Sequence, residues 1–324
     1  MSDLKARVVV VGSFNVDHVW SVTRLPQAGQ TLAGTYRSGP GGKGFNQAVA
    51  AARAGAPTTF ICALGADVGG HLARALATAD DIDLRDAASD LPTGTAGIYV
   101  DAEGRNSIVI GAGANNALSS AHVQDQDICI AQAAVVLAQL ESPVDAVAQA
   151  LQMARACNAI AMLNPAPANA ATTDALLSAC DVITPNETEF TALLMRHVGV
   201  ELDASTLASL DDAVLHDHCR SLLPHATVVL TLGAAGCLVS HAANAMRDDD
   251  STCYRVAAPV VAAVDTTGAG DAFNGALAAS LALRQDVPFA RHAEFAVRYA
   301  SQSVLHAGAA ESMPRMPATA VEAR

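Results

Sequence analysis

An α/β fold with a mostly parallel central sheet and a small β lid is what this chain predicts, on three observations. Short β-branched runs alternate with Ala-rich helical stretches along most of the 324 residues, the rhythm of a parallel sheet covered on both faces. Aromatic residues make up only 4% of a chain that is 51% hydrophobic, so the core rests on Ala, Val and Leu, as Val-rich strands and Ala-rich helices allow. Two turn-rich β stretches break the rhythm and supply the lid. The length suits one large α/β domain or two modest ones.

Along the chain, Val8–Val11 is the first strand and leads to a loop, and Asn46–Ala54 reads as a helix closed by Gly55. Thr58–Leu64 is a strand, followed by a helix near Val68–Ala77. Later strands fit Ala134–Leu140, Ala159–Leu163, Asp181–Thr184 and Thr227–Leu232, and Ala272–Leu283 reads as a helix. Val19–Ser38 is β-like and turn-rich, with Pro26, Gly29 and Gly34. Thr93–Gly111 alternates like a hairpin that turns at Ala102–Glu103–Gly104. Two such β segments, separated by a βα stretch, can leave the main sheet together and cap it. Arg247–Ser251 is a polar loop, and the last dozen residues, with Pro314 and Pro317, read as a loose tail.

A formal charge of −13 argues against nucleic acid, whose phosphates want a basic face. It does not exclude ATP, since a few local donors and a metal ion neutralise its phosphates. The seven cysteines are scattered without a Cys-x-x-Cys pair, mostly beside apolar runs, as small core residues in a reducing cytosol are. No apolar run approaches the roughly 18 residues of a membrane span, and Val8–Val11 is too short for a signal-peptide core. The expectation is a cytoplasmic protein without nucleic-acid or membrane partners.

Each expected strand ends in apolar residues and then presents a polar one: Asn15 and Asp17, Glu141, Asn164, Asn186, Thr231. In open α/β sheets ligands bind beyond the carboxyl ends of the strands, so this series implies one cleft along the sheet edge. The strongest local signal is Asp265-Thr-Thr-Gly-Ala-Gly-Asp271 opening a helix. Backbone N–H groups of Gly268, Ala269 and Gly270 converge there on an anion site, which would stabilise a moving phosphoryl group. Asp271 stands where its carboxylate takes a proton from an attacking hydroxyl; the bland alternative makes it a helix cap.

Gly39-Pro-Gly-Gly-Lys-Gly-Phe-Asn46 opens another helix and contains G-x-G-x-x-G at 39, 41 and 44. A dinucleotide fingerprint follows the first strand at once, which this does not, and a Walker A loop has Ser or Thr after its Lys, where Gly44 stands here. A close-approach loop fits better: the glycines bring backbone donors to a polyhydroxyl ligand, with Lys43 and Asn46 as side-chain donors. In Gly12-Ser-Phe-Asn-Val-Asp17, Asn15 and Asp17 share a face if the chain stays extended and can bracket adjacent hydroxyls. Otherwise they belong to a solvated Asx turn.

Together these motifs resemble the ribokinase-like family of sugar and nucleoside kinases, from about Val8 to Pro314. The resemblance is carried by Gly-Ser-x-Asn-x-Asp-His (12–18), Gly-Gly-Lys-Gly-x-Asn-Gln-Ala (41–48), Gly-Ala-Asn (113–115) and Gln-Leu-Glu (139–141). Asn-Pro-Ala-Pro-Ala (164–168), Thr-Pro-Asn-Glu-Thr-Glu (184–189), Thr-Leu-Gly (231–233) and the Asp265–Asp271 loop complete it. It implies a single domain over 1–324, a three-layer sandwich whose lid comes from segments near 15–40 and 93–111. It implies ATP-dependent phosphorylation of a sugar hydroxyl, with Asn15, Asp17, Gly42, Lys43, Asn46 and Glu141 on the sugar and Asp271 on its reacting hydroxyl. Asn186 would face the ATP phosphates and Glu189 would place Mg²⁺ through water, although this pair also reads as a capping box. Thr231, Gly233 and Gly236, with Gly270, would line the nucleotide site. A monovalent cation, K⁺, would sit by Asp265 and Thr267 and by Ser303, His306, Gly308 and Ser312, in part through backbone carbonyls.

With the polar sugar set complete, the resemblance points to D-ribose as acceptor; a nucleoside, fructose or another pentose is the alternative. A sugar-binding protein without catalysis and a nicotinamide-dependent dehydrogenase are further readings, opposed by the intact Asp265–Asp271 loop and by the misplaced glycines respectively. Lids of this family often pair between two subunits, so a homodimer is implied. Phe14 and Phe45 are bulkier than the resemblance leads one to expect, either as core packing or as pocket-shaping residues. The Arg247–Ser251 loop is also longer, which leaves the nucleotide-site edge undefined.

Overall fold

The computed structural model describes residues 5–316. Its first half holds strands β1 (Arg7–Val11), β2 (Asn15–Ser21) and β3 (Thr35–Gly41), helix α1 (Lys43–Arg53), β4 (Thr58–Gly65) and α2 (Val68–Ala79). Then come β5 (Asp83–Ser89), β6 (Gly94–Val100), β7 (Asn106–Gly111), α3 (Ser120–Gln124), α4 (Asp127–Ala131), β8 (Ala133–Ala138) and α5 (Val144–Ala156). The second half holds β9 (Ile160–Leu163), α6 (Asp174–Ser178), β10 (Val182–Ile183), α7 (Glu187–His197), α8 (Asp212–Leu222) and β11 (Thr227–Thr231). It closes with β12 (Cys237–Ser240), β13 (Cys253–Val256), α9 (Ala269–Leu283) and α10 (Phe289–Ser303).

Nine strands form the large sheet in the order β13-β12-β11-β10-β9-β8-β1-β4-β5. The seven from β11 to β5 run parallel, and β12 and β13 add an antiparallel edge. β1 lies between β8 and β4, and its four valines are fully buried. Their alternation defines the layers: Val8 and Val10 pack with α1, α2, α9 and α10, whereas Val9 and Val11 pack with α3 to α8. A second sheet, ordered β3-β2-β6-β7, stands apart.

α1 starts at Lys43, three residues before the expected Asn46, with Gly42 as its N-cap. β10 is only two residues long, although Asp181 and Thr184 still donate backbone bonds to β9 carbonyls or its flanks. β5, polar and half-exposed at the sheet edge, gives no apolar alternation and was not expected.

Two expectations about loops are corrected. Arg247–Ser251 does not border the cleft: Arg247 donates to the carbonyl of Asp181 and to Thr227 Oγ1, at the amino ends of β10 and β11. Asp249, buried there, accepts from Ala290 N and pairs with His241. The loose tail begins later than expected, because Tyr299 donates to the Pro314 carbonyl (2.7 Å), Arg315 to Asp80 and Met316 N to Arg53 O. Pro317 and the residues after it lie outside the described residues.

Candidate active site

The parallel strands aim their carboxyl ends at one edge, where the small sheet rises from β1 through the short Gly12–Phe14 link. Here a cavity of about 170 Å³ is lined by Lys43, Asn186, Glu189, Thr231 and the turn from Gly268 to Asp271. Of the polar strand ends, Asn164, Asn186 and Thr231 line this cavity, whereas Asn15 and Glu141 line a second pocket with Asn115 and Ile110, and Asp17 lines neither.

Asp271 is the third residue of α9, which starts at Ala269 after Gly268 in the left-handed region (φ 76°). Its carboxylate is not a helix cap. It is 6% exposed, and Oδ2 accepts from Asn46 Nδ2 at 2.9 Å and Oδ1 from Gln47 Nε2 at 2.9 Å. Burial raises its pKa above the ordinary value, against the opposing pull of Lys43 and the two amides. Ala269 and Gly270 line the same cavity; the Ala269 N–H donates to the Thr266 carbonyl (3.2 Å), and the helix start as a whole favours an anion.

Asn15 and Asp17 lie in β2, on one face, so the Asx-turn alternative does not hold. Asn15 is held by Asn115, which donates 2.8 Å to its Oδ1 and also brackets Phe14, accepting from its N–H and donating to its carbonyl. Asp17 lies over Gly41, where any Cβ would come within 2.2 Å of the carboxylate oxygens. Burial, then Glu141, push the Asp17 pKa up to about 6. Glu141 Oε2 accepts from Ser13 Oγ (2.6 Å) and from Lys43 N (3.0 Å), which ties the β1, β8 and α1 ends together. Asn46 Oδ1 is buried without a partner. Burial works against the charge of Lys43, but Asp271, Glu141 and Glu189 outweigh it and raise its pKa.

Asn186 and Glu189 do form the capping box: Asn186 Oδ1 accepts from Glu189 N (2.8 Å) and Glu189 Oε2 from Asn186 N (2.9 Å). The box leaves Glu189 Oε1 available, and burial raises the pKa of this acid. Both residues also line the cavity. Thr231 joins them through a bridge to Asn186, whereas Gly233 and Gly236 sit in the β11–β12 turn outside that lining.

Asp265 latches two loops, accepting from Thr267 N (2.9 Å) and Gly308 N (3.0 Å). Burial opposes its charge, but those donations, Gly308 first, hold its pKa below the ordinary value. The hydroxyls of Ser303 and Ser312 turn back to Ala300 O and Ala309 O. Any cation between the loops would therefore meet mainly backbone carbonyls, with His306 at the edge of the second loop.

Phe14 and Phe45 belong to the core. They are 0% and 1% exposed and stack edge-to-face, centroids 5.1 Å apart. Sequence reasoning missed Gln47, Thr184 and Asn274 beside the base, gave Asn115 no role, and placed Asn164 at the cleft without its bond to Gln47. The available signal was a polar residue, Gln47, among the buried apolar residues of α1. Also missed was a set of exposed apolar residues, Val260, Val261 and Val264, with Leu305 following Val304, to which Val264 bonds; Gly236 abuts Val256 to Ala258, just before them.

The profile of the pfkB family carbohydrate kinases matches residues 5–316. A ribokinase of Haemophilus influenzae is 39% identical over 314 residues, 96% of this chain and 96% of that one. Among solved structures, the ribokinase of Giardia lamblia superposes with a TM-score of 0.82 at 30% identity, over 98% of each chain. The Arabidopsis thaliana ribokinase complexed with ribose and ATP gives a TM-score of 0.80 at 28% identity, again over 98% of each. Since the profile spans every described residue, including the Asp271 turn and the β2 carboxylate, this chain belongs to the pfkB family of carbohydrate kinases.

Proposed function

We propose that this chain transfers the γ-phosphoryl group of ATP to the terminal hydroxyl of D-ribose, giving ribose 5-phosphate and ADP. The observation that carries this reading is a buried carboxylate, Asp271, held by two side-chain amides on the first turn of a helix whose opening residues, Gly268 to Gly270, line the same cavity. The hydroxyl proton passes to Asp271 as the oxygen attacks phosphorus, and the bond to the ADP oxygen breaks. Burial raises the proton affinity of this base, as general-base work near neutral pH requires. The Gly268–Gly270 amides and Lys43 would stabilise charge on the phosphoryl oxygens. Asn15, Asp17, Gly42, Asn46 and Glu141 would hold the sugar, and the orphaned Asn46 Oδ1 supplies a ready acceptor for a hydroxyl.

ATP would lie from Asn186 and Thr231 toward Gly233 and Gly236, with the exposed Val260, Val261 and Val264 as an apolar surface for its base. Mg²⁺ fits a site with one free carboxylate oxygen, Glu189 Oε1, because Mg²⁺ keeps its waters and leans on substrate phosphates. Among the described residues no cluster of three or more acidic, His or Cys side chains offers a protein cage for a metal. When bound, Mg²⁺ would neutralise phosphate charge. K⁺ fits the carbonyl-rich loops latched by Asp265, where it would complete the electrostatics of the anion turn. Seven free cysteines suit a reducing, cytoplasmic setting, and among the described residues no helix is long and apolar enough to cross a membrane.

The test is ADP release with ribose, deoxyribose, fructose, adenosine, cytidine or no acceptor, with and without K⁺. The expected result is the highest kcat/KM on ribose, raised by K⁺. Preference for a nucleoside or hexose would overturn the acceptor, and equal rates without K⁺ would remove the cation.

A further inference from the structure

We infer that Gln47 is the positioning residue for the base, fixing the Asp271 carboxylate and tying it to the phosphate side of the cavity. The inference rests on the reading of Asp271 as base.

Gln47 is 0% exposed on α1, and both its amide nitrogen and its amide oxygen are engaged, in three hydrogen bonds. Its Nε2 donates to Asp271 Oδ1 (2.9 Å) and to Asn164 Oδ1 (3.0 Å), and its Oε1 accepts from Gln139 Nε2 (2.5 Å). A carboxylate only accepts, so the amide nitrogen must face Asp271, and the amide cannot turn without breaking all three bonds. From Asn164 the circuit continues: Asn164 Nδ2 donates to Thr184 O (3.1 Å), and Thr184 Oγ1 to Asn274 Oδ1 (2.5 Å). Asn274 Nδ2 donates to Gly270 O (2.8 Å), the residue before the base. The ring thus closes on the turn from which it started. One circuit sets both the carboxylate and the anion-binding turn, and Asn164, Thr184 and Asn274 themselves line the cavity.

Burying four side-chain amides this way is costly unless their groups are matched, and of these only Gln139 Oε1 is left without a partner. A leucine at 47 would pack the core between α1 and α9 without that demand, so packing alone gives no reason for the amide. Its neighbour Asn46 binds the other oxygen, Oδ2, at 2.9 Å. Successive residues of one helix therefore hold the two carboxylate oxygens and fix its plane. The difference between them is that Asn46 keeps an orphaned oxygen for substrate, whereas Gln47 has none left. Gln47 therefore acts through the base and the circuit and keeps no orphaned acceptor for substrate.

The charged groups acting on Asp271 are Lys43 on α1, Glu141 after β8, Asp17 on β2 and Glu189 on α7. Three of these four are acids and favour protonation of the base. Removing the Gln47 donor leaves that tendency less opposed.

The experiment compares Gln47→Leu, Gln139→Leu and Asp271→Asn with the parent enzyme in kcat, ribose KM and pH profile. For Gln47→Leu the expected result is a loss of roughly 10- to 100-fold in kcat, as for a hydrogen bond to a charged group. Ribose KM stays within about threefold, and the acid limb of kcat/KM moves to higher pH. Gln139→Leu keeps the bond to Asp271 but frees the amide, so the same changes appear at smaller size; it carries the test if Gln47→Leu does not fold. A fall in kcat with an unmoved acid limb, or a rise in KM alone, overturns the inference. Asp271→Asn separates the two levels: retained turnover there removes the base itself. Lost turnover there with normal Gln47→Leu kinetics removes only the role of Gln47.

Discussion

Asp17 is a carboxylate that the fold tolerates rather than needs. Its oxygens lie against the backbone of Gly41, it is largely buried, and Glu141 and Asp271 are near; only Arg37 opposes them. Its pKa is accordingly pushed up to about 6. The folded protein then binds this proton more tightly than the unfolded chain, so stability falls as pH rises from about 4 through about 6. Above that window the full cost is present, on the order of 1–2 kcal/mol after solvent screening. Asp17→Asn should therefore raise the melting temperature by roughly a few degrees at pH 7.5 and gain little at pH 4.5. The same change removes a charged acceptor from the sugar, and ribose KM should rise about tenfold or more. Thermal melts at the two pH values and ribose kinetics check both halves. A lower melting temperature at pH 7.5 would make Asp17 a stabilising partner, and an unchanged KM would take it off the sugar.

α1 and α9 bring their site residues together only because they approach closely at Gly275. A Cβ there would fall 2.5 Å from Ala50 Cβ and 2.5 Å from the Gln47 carbonyl. Backbone cannot yield as a flexible side-chain tip does, so Gly275→Leu must spread the two helices. Spreading them stretches the Asn46 and Gln47 bonds to Asp271, and overpacking of this kind costs roughly 1–3 kcal/mol. The expected outcome is a lower melting temperature together with a kcat loss larger than the small unfolded fraction explains. Full turnover in the folded variant would show that the helix spacing does not set the base. That spacing also shows what the sequence could and could not disclose. The parallel sheet, the two Gly-rich helix starts and the polar strand ends were legible, because each is a local pattern of period, turn chemistry or capping. The circuit from Gln139 through Gln47 to Asp271 was not, since its members stand 92 and 224 residues apart and meet only after α1 and α9 dock. Nor could β5 be seen: Asp83-Leu-Arg-Asp-Ala-Ala-Ser has no apolar face, and pairing with β4 alone makes it a strand. Arg247–Ser251 is the loop its polarity indicates, but polarity alone did not disclose that Asp249 is buried against His241.

The small sheet carries the sugar-side residues on one face and an aromatic group on the other. In register, Asp17 pairs with Gly39 and Ala96, while Trp20 pairs with Tyr36 and Tyr99, so alternation sends the two sets to opposite faces. Trp20 and Tyr99 stack with centroids 5.3 Å apart. Val109, opposite Gly97, extends the aromatic face, and Ile108 and Ile110 extend the sugar-side face. All three are exposed on β7, an edge strand open along its whole length. Exposed apolar edges of this kind invite pairing with another chain unless a charge blocks them. We propose that this sheet acts as a lid and pairs with the lid of a second copy. Lysine at Val109 places a charge on that edge without touching Asn15, Asp17 or the base. Light scattering at micromolar concentration should give twice the 33.0 kDa chain mass for the parent and one chain mass for Val109→Lys. If pairing also steadies the lid over the sugar, the variant's ribose KM rises while its kcat at saturating ribose changes less, because the chemistry lies on α9. Trp20, the chain's one tryptophan, gives a direct readout: its fluorescence should shift on dilution of the parent through its dissociation range and stay constant for the variant. A parent that is already a monomer, with ribose KM equal to that of Val109→Lys, would leave the lid a single-chain device.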